Sequence, residues 1–170
     1  MLDTLSLMDD ASTRAGVSEA EMRANVVRLA FGGDEGRLEE FCEVLRRAIP
    51  ADTAAVLRGS AITGVRWNDK APFDADGPGT SDLDLTLVGN DILTCYTIGG
   101  FYIPGVHSKP LSAQHPDIAP RLLPLRQHLI ELAGRPVNIQ GTRDWIMFFR
   151  EHVMNQPYLK LFGRLDETTP

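Results

Sequence analysis

A chain of 170 residues, 43% hydrophobic and 24% charged, has the composition of a globular protein large enough for a real core, and one domain over 1–170 is expected. Its net charge of −6 gives no general attraction for nucleic acid, so a polyanionic substrate would have to be held by local groups or bound cations. No apolar run reaches the roughly eighteen residues of a membrane span, and Met1-Leu2-Asp3-Thr4 lacks the basic and then apolar start of a secretion signal. A cytoplasmic protein is expected.

Helix and strand patterns alternate along the chain. Residues 18–31 place Ser18 and Glu21 in capping-box spacing and carry Met22, Val26, Leu29 and Ala30 on one stripe, which predicts an amphipathic helix ended by Gly32-Gly33. A second helix is predicted from Asp34 to Ala48, with Leu38, Phe41, Cys42, Leu45 and Ile49 at helical intervals and Pro50 closing it. Together these form an N-terminal helical part, 18–49, ahead of a core, 54–155. Ala54-Ala55-Val56-Leu57-Arg58-Gly59 is a short apolar run bounded by turn signals and predicts the first core strand, after which Ser60 starts a helix. From Gly64 to Thr80 the composition turns to Arg66, Trp67, Asn68, Asp69, Lys70, Pro72, Asp74, Asp76, Gly77, Pro78 and Gly79. That stretch predicts a long surface loop, the kind that often carries function.

The next strand, Leu83-Asp84-Leu85-Thr86-Leu87-Val88, is followed by two β-rich segments, 92–98 and 101–106, separated by Gly99-Gly100, which predict a hairpin. The polar segment His107-Ser108-Lys109-Pro110 comes after it. Ile118, Leu122, Leu125, Leu129 and Leu132 form a helical stripe interrupted by Pro120 and Pro124, so the regular helix is expected to start near 121–124 and to stop at Gly134. Arg135 to Gln140 predicts a strand, and Thr142 to Asn155 a last helix burying Trp145, Phe148, Phe149, His152 and Val153. The fold class is therefore α/β in the broad sense, an α+β arrangement of a mixed sheet flanked by helices.

The chemistry concentrates at Ser81-Asp82-Leu83-Asp84-Leu85. Strand side chains alternate between faces, so Asp82 and Asp84 point the same way while Leu83, Leu85 and Leu87 face the core. An Asp-x-Asp pair is often only a solvated strand start. Here it sits in an apolar strand, where two acids on one face repel unless a cation or basic group compensates, which points to a metal or phosphate site. Cys42 and Cys95, expected in a helix and a strand, have no metal-like spacing and read as buried free thiols. His107, His115, His128 and His152 show no ligand spacing either, and a zinc site is not expected. His152 reads as a core or boundary residue and His128 as a helix-surface one. The chain has no Gly-x-x-x-x-Gly-Lys phosphate loop and no Gly-x-Ser-x-Gly nucleophile turn.

A Gly-Ser dipeptide ending a strand, then Asp-x-Asp on the next strand, resembles the signature of the polymerase-beta-type nucleotidyltransferase superfamily, particularly its small stand-alone members, over roughly residues 54–140. The resemblance implies a nucleotidyltransferase-like fold. It also implies that Gly59 and Ser60 contact a nucleoside triphosphate and that Asp82 and Asp84 act as catalytic ligands of Mg2+ or Mn2+. Arg58, just ahead of the turn, could reach a phosphate, although an arginine at a strand end is more often a surface or ion-pair residue, and Ser81 stands beside the acids as a further candidate for the nucleotide. Glycine permits close backbone approach, and free amides and a hydroxyl at a helix start bind phosphate oxygens without net positive charge. The interval from Ser60 to Asp82 is longer than the family's, an insertion at 64–80 in which Trp67 either stacks on a base or, as is commoner, pins the loop to the core. The family's third carboxylate falls at Asn138, which can ligate a cation through its amide oxygen but cannot accept a proton.

Transfer of a nucleoside monophosphate from an NTP to a hydroxyl of a protein, nucleic acid or small molecule is thus the expected activity. The alternatives are a degenerate nucleotide-binding or regulatory module and the nucleotidyltransferase-like partner of a toxin–antitoxin pair. A second copy or a helical protein would be the corresponding partner.

Overall fold

The computed structural model describes residues 16–165. Two helices come first. Helix α1, Glu19–Ala30, is capped by Ser18, whose hydroxyl accepts from the Glu21 amide while the Glu21 carboxylate accepts from the Ser18 amide, satisfying two otherwise orphaned donors. Helix α2, Glu35–Ala48, is capped by Asp34 and buries Leu38, Phe41, Cys42 and Leu45 on one stripe. Strand β1, Ala54–Arg58, leads into a single helical turn, α3, Ser60–Thr63. Strand β2, Leu83–Val88, follows the long loop.

Strands β3, Phe101–Ile103, and β4, His107–Ser108, helix α4, Leu123–Ala133, strand β5, Val137–Thr142, helix α5, Trp145–Glu151, and strand β6, Leu159–Phe162, complete the order. The six strands form one sheet in the order β3-β4-β5-β2-β1-β6. Only β2 and β5 pair in parallel; the other neighbours are antiparallel, so the sheet is mixed.

Alternation along the strands separates two layers. Ala55, Leu57, Leu83, Leu85, Leu87, Val137 and Ile139 face one side and make the larger core with residues of α1, α2, α3 and α4. The opposite side carries Ala54, Val56 and Val88, covered by Trp145, Phe148 and Val153. Burial of these side chains supplies about 25 cal/mol per Å2 of apolar surface and makes the sheet a rigid base for the polar groups its central strands carry.

Several expectations are corrected. The β-rich reading of 92–98 fails, and with it the hairpin to 101–106 and the strand placement of Cys95. Asp91–Cys95 and Ile98–Gly100 are 3-10 turns that bury Ile92, Leu93 and Cys95, and β3 pairs with β4 instead. An apolar run this short fits a buried turn as well as a strand. His107 and Ser108 of the polar segment form β4 and are fully buried.

The last helix ends at Glu151, well short of Asn155, and His152 is exposed. Strand β6 was not anticipated. The thiols of Cys42 and Cys95 are buried and free, as expected.

Loop 64–80 is irregular but firmly anchored. Val65 bridges Pro72, Phe73 packs against the main core, and Asp74 pairs with the nearly buried Arg135 at 2.8 Å. Arg135 also donates to the carbonyls of Ser81 and Leu29, tying the loop to β2 and α1 through one side chain.

Candidate functional site

Register across the sheet assembles the site. Arg58 of β1 lies opposite Asp84 of β2, and Asp84 lies opposite Asn138 of β5, so the three occupy one row. Asp82, one residue ahead of β2, projects to the same side. Asn138 shows this directly, because its Nδ2 donates to Asp82 Oδ2 at 2.7 Å and to Asp84 Oδ1 at 3.0 Å.

Asp84 is the strained member of the pair. Burial and the neighbouring Asp82 carboxylate push its carboxyl above the ordinary value, while Arg58 and the Asn138 amide pull it back. Like charges this close in a poorly hydrated place favour protonation or a bound cation. Arg58 compensates only in part. Its Nε donates to Thr86 Oγ1 at 2.8 Å and Nη2 to Gln140 Oε1 at 3.2 Å, with the guanidinium 5.4 Å from the Phe148 ring centroid. Burial draws its own pKa down, opposed by Asp84 and Asp82.

The Gly-Ser turn meets the acids. Gly59 has φ +89°, and a Cβ placed on it would stand 2.9 Å from Asp84 Oδ2. Only glycine fits there, on both backbone and steric grounds. Gly59, Ser60, Asp82 and Asp84 line an open cleft of about 410 Å3, closed on the other side by Arg66, Trp67 and Asn68 of the long loop.

Trp67 is 47% exposed and so is not pinned into the core. Lys70 Nζ lies 4.5 Å over its ring. Arg66 is held by ion pairs with Asp76 and Asp69.

No family model, curated protein or solved structure matches this chain.

Of the residues singled out from sequence, the fold gathers Gly59, Ser60, Ser81, Asp82 and Asp84 around the cleft and sets Asn138 beneath both acids. Arg58 shares the acids' face but does not line the cleft. Ser81 does line it, yet its hydroxyl accepts from the Asp74 amide at 2.8 Å and its own amide donates to Asp74 Oδ1, so its polar groups serve the loop anchor. Asn138 presents a donor, Nδ2, to the carboxylates; ligation through Oδ1 requires the amide to turn over.

Arg66 and Asn68, read from the sequence only as members of the surface loop, also line the cleft. No local motif marks them, since only the folding back of the loop brings them to the cleft. Among the described residues, no helix is long and apolar enough to cross a membrane.

Proposed function

We propose that this cleft binds a nucleoside triphosphate together with a divalent cation and supports transfer of its nucleotidyl group to a hydroxyl acceptor, as in the polymerase-beta-type nucleotidyltransferases its motifs resemble. One observation carries the proposal. The Gly59-Ser60 turn and the Asp82/Asp84 pair are remote in sequence, yet Gly59 abuts Asp84 so closely that a methyl group would collide with its carboxylate.

The donor set suits Mg2+ or Mn2+. Both are oxygen-seeking cations that take one or two carboxylates and leave the remaining positions to phosphate and water. Burial and the Asp82 carboxylate push the Asp84 carboxyl up, and a divalent cation held between the two acids would relieve that repulsion. Asp82 and Asp84 would hold the cation, which when bound neutralises phosphate charge and polarises the bond to the departing pyrophosphate. The chain's own groups do the rest. Gly59 lets the backbone approach a phosphate, the Ser60 hydroxyl donates to a phosphate oxygen, and the exposed face of Trp67 offers a stacking surface for a base.

Asn138 supports a second reading, binding without turnover. The amide occupies the place of a third acid and donates to both carboxylates, partly satisfying them without a metal. It cannot take the proton of an attacking hydroxyl.

Thermal melting with ATP, GTP, CTP and UTP, with and without Mg2+, tests both. A bound nucleotide at one hundred times its Kd should stabilise by about 2.7 kcal/mol. The rise is expected only with metal and is expected to vanish in Asp82→Ala. Transfer of α-labelled nucleotide to an acceptor, lost in Asp82→Ala, establishes the transferase. Binding without labelling, with labelling gained in Asn138→Asp, establishes the degenerate module. The absence of any metal-dependent nucleotide shift would rule out both.

A further inference from the structure

A second cluster lies away from the acid cleft, where the sheet edge meets the end of α5. One ring nitrogen each of His107 and His152 and a carboxylate oxygen of Glu151 lie within 4.8 Å of one another. His107 belongs to the edge strand β4 and is fully buried, whereas Glu151 and His152 end α5 and are exposed. We propose that these three side chains form a binding site for one zinc-class transition-metal dication, which clamps the β3–β4 edge to α5.

The buried histidine carries the inference. His107 Nδ1 is 2.6 Å from Thr142 Oγ1, its cross-strand partner in β5, while His107 Nε2 is buried with no hydrogen-bond partner. Thr142 occupies Nδ1 and leaves Nε2 as the nitrogen open to another partner. Thr142 Oγ1 also accepts from the Asp144 amide at 3.1 Å and lies 3.3 Å from the Asp144 carbonyl, to which its hydroxyl can donate. With that hydrogen on the carbonyl, Oγ1 accepts from His107 Nδ1–H and Nε2 carries the lone pair a metal needs.

A buried imidazole fixed in this way, with a bare nitrogen beside a second imidazole and a carboxylate, has the form of a metal ligand oriented by a hydroxyl behind it. An orphaned acceptor is otherwise a standing cost of about 1–3 kcal/mol.

The surroundings hold the other ligands near position. The His152 ring stacks on Phe148 at 5.3 Å between centroids and on Tyr102 of β3 at 5.8 Å, and it meets the His107 ring at 4.9 Å. A tetrahedral zinc ion with ligands at 2.0–2.1 Å spaces them about 3.3 Å apart. The remaining difference, at most about 1.5 Å, would be taken up by the exposed Glu151 and His152 side chains. Two imidazoles and one carboxylate suit Zn2+, with Co2+ and Ni2+ as spectroscopic substitutes, and are a poor match for the hard Mg2+ proposed at the acids. Three protein ligands leave the fourth position to water.

The test uses the full chain, stripped with chelator and titrated with Zn2+ against a chromogenic chelator, then with Co2+ for its visible absorption. One equivalent of Zn2+ is expected, with an intense tetrahedral Co2+ spectrum and a higher melting temperature. His107 is buried and its replacement can unfold the edge, so His152→Ala and Glu151→Ala, at exposed positions, are the diagnostic variants. His152→Ala is expected to weaken binding at least about 100-fold, and Thr142→Val, which removes the hydroxyl at His107 Nδ1 together with its bonds to Asp144, about 10- to 100-fold. Asp82→Asn is expected to leave the zinc titration unchanged, which separates this site from the nucleotide cleft. Failure to take up one equivalent, or uptake that persists through both α5 substitutions, overturns the proposal.

Discussion

Gly59→Ala adds one methyl group 2.9 Å from Asp84 Oδ2, on a backbone whose φ of +89° disfavours any side chain. The expected cost is about 1–3 kcal/mol, measured by denaturant unfolding, with any nucleotide-induced stabilisation lost as well. Asp84 makes the opposite prediction. Its carboxyl is raised by burial and by Asp82, so the folded protein holds this proton more tightly than the unfolded chain. That contribution favours folding in acid and is lost as pH rises past the unfolded value toward the folded one. Asp84→Asn is therefore expected to raise the melting temperature at neutral pH in metal-free buffer while removing the metal-dependent nucleotide shift. A variant less stable than the parent under those conditions would contradict a destabilising Asp82–Asp84 repulsion. At this scale the Asp-x-Asp spacing was legible, because strand alternation alone sets both acids on one side. The direction of the Asn138 amide was not, since it depends on cross-strand neighbours.

The long loop shows how an element without regular structure is held. Arg135 donates to both carboxylate oxygens of Asp74 and packs over the Phe73 ring, 4.5 Å from its centroid. Arg135→Ala takes the counter-charge from a partly buried carboxylate that keeps only its Ser81 and Gly79 amide donors and removes a donor from two carbonyls, and a loss of about 1–3 kcal/mol is expected, read from chemical unfolding. The Arg135 hydrogen bonds, helped by the Ser81 and Gly79 amides against an opposing push from burial, lower the Asp74 carboxyl to about 2. A depressed carboxyl stabilises above the unfolded pKa, about 3.9. This contribution is thus complete above about pH 4 and drains away as pH falls toward 2. Asp74→Asn should flatten the acid limb of the stability curve in that window, and a limb unchanged by it would refute the assignment.

Helices α1 and α2 were readable from their caps and stripes because those signals are local. The segment 91–100 was not. Ile92, Leu93 and Cys95 form a run too short for its period to be read, and it turns instead of extending because it packs under the sheet. Two-residue β4 and late β6 carry too little pattern to be noticed without their partners.

Taken as a whole, the molecule is organised around β2, which is hydrogen-bonded on both sides, to β1 and to β5. Its amides are expected to exchange slowest, with β5 and β1 next and the short edge strands β3 and β4 fastest, as measured by native-state hydrogen exchange. Protection at β3 or β4 exceeding that of β2 would contradict this hierarchy. Occupation of the His107–Glu151–His152 site is expected to slow exchange at the β4 edge selectively.

Residue types and their short-range spacing were enough to specify a mixed α/β chain, the capped N-terminal helices, and an acid pair following a glycine-serine bend. Those features arise from periodicity, capping and glycine's conformational freedom, which act over a few residues. Strand order, the contact of Gly59 with Asp84, the anchoring of the loop by Arg135 and the meeting of His107 with His152 belong to the folded state. They join residues far apart in the chain, and their placement follows from how apolar faces pack and strands pair, a balance that no local pattern encodes.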